Sequence, residues 1–216
     1  MEYRYEATSI AGFIQTIAVA YVARGYFFYV TGEIPEGKDL AKVDAKLIDQ
    51  YGVAVSKFTR ARKKRAGQAN LQYLRLKGSR LFAIFATHGQ SPFYESEAKV
   101  IRDVRRVPCK FAGYSISYKS GHVQVRIEKQ RYLELKAYFL EQAAKQEASI
   151  IEQEMRKLLD YEPYAPIRSQ KLCIWRSVNR VRKAAGLPRI AKDCLRFYRR
   201  IVKPFDADAQ SQAACA

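Results

Sequence analysis

Apolar residues recur at helical spacing over Ile10, Phe13, Ile14, Ile17 and Tyr21, with Ser9 placed to cap a helix and Gly25 to end it. Residues 26–34 are rich in aromatic and β-branched side chains and read as a strand, closed by the turn Pro35-Glu36-Gly37. A second helix is expected over 40–51, with Leu40, Val43, Leu47 and Ile48 on one side. Leu71–Leu76 and Leu81–Ala86 flank Lys77-Gly78-Ser79-Arg80, a hairpin signal with glycine first in a two-residue loop. Ser91-Pro92 opens a further expected helix through Arg106, ended before Pro108. Strands at 114–118 and 123–127 then flank Ser120-Gly121 as a second hairpin.

The order strand, helix, strand, strand, helix, strand, with one strand added, predicts an α+β domain over residues 1–128, with a ferredoxin-like or RRM-like antiparallel sheet and packed helices. Residues 129–162 read as one long helix, with Leu133, Ala137, Leu140, Ala144, Ala148, Ile151, Met155 and Leu158 forming an apolar seam. That seam needs a partner: the rest of the chain, another protein, or a second copy of the same helix. Pro163 and Pro166 interrupt the helix, and 163–205 reads as a basic helical extension with helices over 169–185 and 191–202. Residues 206–216 are polar and alanine-rich, the composition of a disordered tail.

Charge changes this picture most. Among 216 residues, 39 Lys and Arg face 21 Asp and Glu, a net charge of +18. The excess is segregated. Between Gln50 and Tyr94 there are nine cations and no acid, and 167–204 carries twelve cations against Asp193 alone. Such segments attract a polyanion and gain affinity by releasing its counterions, so nucleic acid is the expected partner. Cys109, Cys173, Cys194 and Cys215 form no closely spaced pair and neither histidine lies near them, so no metal site is expected. No apolar run reaches the roughly 18 residues of a membrane span, and the acidic start is unlike a secretory signal; a cytoplasmic protein with no membrane partner is the expectation.

Two kinds of site follow. A Ser120-Gly121 loop pairs Lys119 with His122, Ser117 with Gln124 and Ser115 with Arg126 on one polar sheet face. Strand aromatics Tyr26, Phe28, Tyr29, Tyr73 and Phe82 suit stacking on unpaired bases, which tilts the expectation toward RNA or single strands. Arg176, Arg180 and Lys183 share a helix face, and Arg196, Arg199 and Arg200 repeat the device. The expected nucleic-acid contacts are therefore Arg60, Arg62, Lys63, Lys64, Arg65, Tyr73, Arg75, Lys119, Arg126, Arg176, Arg180, Lys183, Arg196, Arg199 and Arg200.

His122-Val123-Gln124 resembles a reduced form of the metal-binding triplet of HUH endonucleases, which share a ferredoxin-like sheet and join DNA to a helix-borne tyrosine. That resemblance implies His122, Gln124 and Tyr132 as catalytic residues, with Mg or Mn as the metal; otherwise no cofactor is expected. The paired histidines are missing, and Tyr132 follows only eight residues after Gln124. The main expectation is a nucleic-acid-binding protein using the two basic clusters and an exposed sheet face. The alternatives are a metal-dependent nuclease or strand-transfer enzyme of the replication-initiator or transposase kind, and a basic subunit of a nucleoprotein complex.

Overall fold

Short runs of aromatic and aliphatic residues pair into the larger of two sheets: β1 (Glu6–Ala7), β2 (Phe28–Glu33), β3 (Leu71–Leu76), β4 (Leu81–Ala86) and β5 (Arg102–Asp103). The chain is seen here as a computed structural model that describes residues 3–206; the tail expected over 206–216 lies outside them apart from Asp206. Strand order is β1-β3-β4-β2-β5, with β1 parallel to β3 and the other pairs antiparallel. The β3–β4 register runs from Leu71 opposite Ala86 to Arg75 opposite Phe82, which leaves Gly78-Ser79 as the loop. Gly78 takes φ 69°, the sign a primed hairpin turn requires at its first position.

The fold is mixed α+β, with seven α-helices and two sheets among the described residues. The helices of the first half are α1 (Ile10–Gln15), α2 (Leu40–Gln50), α3 (Lys57–Arg65) and α4 (Pro92–Ser96). Ser9 caps α1 through its hydroxyl, and wider π turns over Thr16–Tyr21 and a tight turn over Val22–Arg24 continue it to Gly25. The smaller, three-stranded sheet has the order β6 (Cys109–Phe111), β7 (Tyr114–Lys119), β8 (His122–Ile127), with Ser120 and Gly121 both at positive φ in the turn. Helices α5 (Lys129–Gln142), α6 (Ala148–Leu158) and α7 (Ala165–Ala184) follow. Two units form: residues 3–109, 116–123 and 202–206 in the first, and 110–115 and 124–201 in the second.

In the first unit the sheet is covered on both sides. Val30, Leu71, Tyr73, Ile84 and Ala86 form one buried face with Val53 and Phe93, against which Leu47 and Ile48 of α2 pack. On the opposite face the Tyr21 ring lies 5.7 Å from Phe85, and Phe85 stacks on Tyr29 at 5.6 Å. The strand aromatics expected to stack on bases are covered instead: Tyr73 is buried under α2, Tyr26 and Tyr29 are buried on the face that carries Tyr21 of the amino-terminal helix, and Phe28 and Phe82 are partly buried.

The expected helix 91–106 shrinks to α4. Only Phe93 is buried between residues 92 and 100, so no apolar stripe supports a longer helix, and 102–103 pairs instead with β2 as β5. The strands at 114–118 and 123–127 belong to the separate second sheet rather than to the first. The single helix expected over 129–162 is two. The buried positions are Leu135, Phe139 and Ala143, then Ile151, Met155 and Leu159. Strict four-residue steps turn by about 40° each, so one straight helix cannot keep both sets on one side. Of the expected seam, Leu133 is 48% exposed. The break is held by Arg182, whose guanidinium donates to the carbonyls of Ala143, Gln146 and Pro188. The helix expected over 191–202 is only a tight turn at Lys192–Cys194 followed by irregular chain.

The first unit also carries a buried charge network. Arg75 donates through Nε to both oxygens of Asp44, at 3.1 and 2.9 Å, and through Nη2 to Glu6, while the Tyr73 hydroxyl donates to Asp44. Asp44 is wholly buried on α2, so α2 is locked to β3 by a charge that cannot be abandoned. Asp44→Ala leaves the guanidinium without its main counterion and is expected to lower unfolding stability by about 3–5 kcal/mol. Urea denaturation checks this, and a loss near that for the half-exposed Glu6→Gln would contradict it.

Candidate nucleic-acid interface

A cation inside a folded protein is either neutralised by a partner or left facing solvent, and the structure sorts the basic residues on this criterion. In α3, Lys57, Arg60, Arg62, Lys63, Lys64 and Arg65 are six cations in nine residues, and none is within ion-pair distance of a carboxylate among the described residues. Alone among the described α-helices, α3 buries no side chain. Hydrogen bonding holds it instead. The Ser56 hydroxyl accepts from Thr59 N, Asn70 Nδ2 donates to Arg60 O at 3.1 Å, and Gln68 N donates to Lys63 O at 2.9 Å. Placing Arg62 to Arg65 in the last turn suits the negative end of the helix dipole, but the cations still repel one another. Arg60 turns toward a groove of about 570 Å³ lined also by Tyr3, Arg4 and Gln72.

In the second unit, Gln170 of α7 pairs with the end of β8 as another strand would: its Oε1 accepts from Ile127 N at 2.8 Å and its Nε2 donates to Ile127 O at 3.1 Å. This sets the first turns of α7 beside Gln124 and Arg126 of β8 and the start of α5. The result is a groove of about 700 Å³ lined by Ser115, Gln124, Arg126, Lys129, Tyr132, Ser169, Gln170 and Cys173, with two cations and no carboxylate among its lining residues. Arg126 donates to Gln124 Oε1 at 2.8 Å and remains exposed. Arg176, Arg180 and Lys183 are exposed further along α7, at the helical spacing that puts them on the side of Ser169 and Cys173. None of the three has a carboxylate partner among the described residues.

Other expected contacts are committed elsewhere. Tyr73 and Arg75 are buried in the network with Asp44 and offer no surface to a ligand. Arg196 is clamped by Asp160 at 2.9 Å and Glu162 at 3.0 Å, Arg200 lies 3.6 Å from Asp160, and Arg199 sits over the Tyr164 ring at 4.5 Å. These three arginines tie the carboxy-terminal chain to the turn before α7, because an irregular segment needs ionic anchors that a helix would not. Lys119 and His122 are exposed in the first unit.

Of the implied catalytic residues, the structure brings Gln124 and Tyr132 to one groove, and His122 is not among its lining residues. Burial, with a hydrogen bond to Cys173, pushes the Tyr132 phenol up to about 12, the direction opposite to that of an activated nucleophile. Among the described residues no three His, Cys, Asp or Glu side chains come together to hold a metal ion. Sequence reading passed over α3 as an element, although Ser56 and Gly67 bracket it, because no apolar periodicity marks it. No protein-family model matches the chain, and no curated protein matches it significantly.

The raised phenol has a direct consequence. The phenolate absorbance difference between the parent protein and Tyr132→Phe is expected to be nearly absent at pH 10, where an ordinary tyrosine is half ionised, and to develop only toward pH 12. Ionisation of this residue below pH 10 in a spectrophotometric titration would contradict that environment.

Proposed function

We propose that this chain binds nucleic acid, contacting phosphates through α3 in the first unit and through Arg126, Lys129, Arg176, Arg180 and Lys183 in the second. The observation that carries the reading is α3: six cations without counterions on a helix that buries nothing. Such a helix contributes little to the core and destabilises itself by like-charge repulsion, a cost that a polyanion removes on binding. Contrast supports the selection, since Arg75, Arg182 and Arg196 in the same chain are buried or ion-paired.

We read the sheet of the first unit as ferredoxin-like in its β3-β4-β2-β5 portion, supported by three antiparallel pairs among four strands in split βαβ order; β1 and the helix covering the second face are additions. A cytoplasmic location belongs to the same reading, supported by Cys109, Cys173 and Cys194 as free thiols. A second reading, strand cleavage or transfer, draws support from Gln124 and Tyr132 lining one groove beside Arg126 and Lys129.

Both are tested by titrating labelled single-stranded RNA, single-stranded DNA and duplex DNA across a salt series, with and without magnesium or manganese. The expected result is a linear fall of log affinity with log salt, and a slope smaller by about 1.4 on a single strand for Lys64→Gln with Arg65→Gln. Binding that is absent at low salt, or indifferent to salt, overturns the proposal. A metal-dependent covalent adduct lost in Tyr132→Phe establishes the second reading, and intact substrate removes it.

A further inference from the structure

Phe58 is 83% exposed on α3, in the midst of the six cations. Scattered exposed apolar residues are ordinary on protein surfaces. This one has a defined setting. Arg62 and Arg65 follow at four and seven residues, so the ring and two guanidiniums form one stripe, spanning about 10 Å along the helix axis. All three are exposed, and Thr59, Arg60 and Lys63 turn toward the rest of the unit instead. The exposed side of α3 thus carries the ring among cations, with only the small Ala61 between.

Resting on the nucleic-acid reading, we propose that Phe58 stacks on an unpaired base while Arg62 and Arg65 hold the phosphates on either side, so that α3 selects single-stranded over duplex nucleic acid. The chemistry narrows the occupant. A lipid surface needs an apolar helix face to enter it, and α3 has one apolar side chain of any size. A protein partner must bring carboxylates for six cations together with a slot for one ring. A single strand supplies both elements at every nucleotide, since each has a phosphate and a π-face, whereas a duplex keeps its base faces stacked. Of the strand aromatics, Tyr26, Tyr29 and Tyr73 are buried and Phe28 and Phe82 are partly buried, whereas Phe58 on α3 is largely free for stacking.

The test uses the full chain with Phe58→Ala, Phe58→Leu and Phe58→Trp. Because the ring touches no core, the thermal midpoints of all three are expected to match the parent, and circular dichroism checks this. The probes are a short oligothymidylate, the matching oligouridylate and a duplex of similar length. On the single strands, Phe58→Ala and Phe58→Leu are both expected to raise Kd about 10-fold with the salt slope unchanged, because both lose the π-face and Leu shows that apolar area alone does not replace it. Duplex affinity stays as it was. In Phe58→Trp, single strands quench the new fluorescence, which is readable over the one native tryptophan, Trp175. Salt-dependent binding that ignores Phe58, with no quenching, overturns the stacking proposal and leaves the binding reading standing. Failure of the parent to bind any probe overturns both. A dimer in sedimentation that Phe58→Ala converts to monomer assigns the ring to a protein contact and overturns the proposal as well.

Discussion

Neutralising positive charge is the constraint on which this structure depends. With 39 basic residues against 21 acidic ones, carboxylates are too few to match every cation, so folding must place them where an unmatched charge would cost most. Asp44 is spent on Arg75, with the Tyr73 hydroxyl as a second donor, beneath α2 where water cannot solvate the guanidinium. Asp160 and Glu162 are spent on Arg196, which anchors chain that has no helix to hold it. Where no carboxylate remains, carbonyls serve. Arg182 is 1% exposed and is satisfied by three backbone oxygens at the α5–α6 break and the Pro188 turn.

Among the cations left over, two groups stand close together: six on α3 and Arg176, Arg180 and Lys183 along the outer side of α7. Such an arrangement gives up some stability, since like charges one turn apart repel, and creates a strong local field at a helix surface. The same division explains why α3 can carry an exposed Phe58 without penalty to the fold: no side chain of that helix is buried in the core.

In the second unit, a neutral side chain supplies the alignment. Gln170 uses both ends of its amide to close the last backbone donor and acceptor of β8, which ties the start of α7 to the strand carrying Gln124 and Arg126. The 700 Å³ groove beside it is thus framed by hydrogen bonds rather than by ion pairs, and Arg126 and Lys129 stay free of carboxylates at its rim. The raised phenol of Tyr132 belongs to this environment, in which burial and Cys173 both favour the proton.

Local physics accounts for the elements that are legible along the chain. The amino-terminal helix, the 40–50 helix and both hairpins follow from apolar spacing, a capping Ser9, and loops whose glycines accept positive φ. The two acid-poor basic segments were equally plain. Tertiary structure alone decided which of those charges remain available, because burial and ion pairing depend on residues far apart in sequence: Asp44 lies 31 positions from Arg75, and Glu162 lies 34 from Arg196. It also decided that α2 covers Tyr73 on one sheet face and the amino-terminal helix covers Tyr29 and Phe85 on the other, which removed these rings from any surface. The break between α5 and α6 was concealed for a related reason, since both halves carry a helical period and only packing shows that they cannot share one side. Finally α3, lacking any apolar stripe, left little periodic signal, yet it is the element on which the proposed function rests.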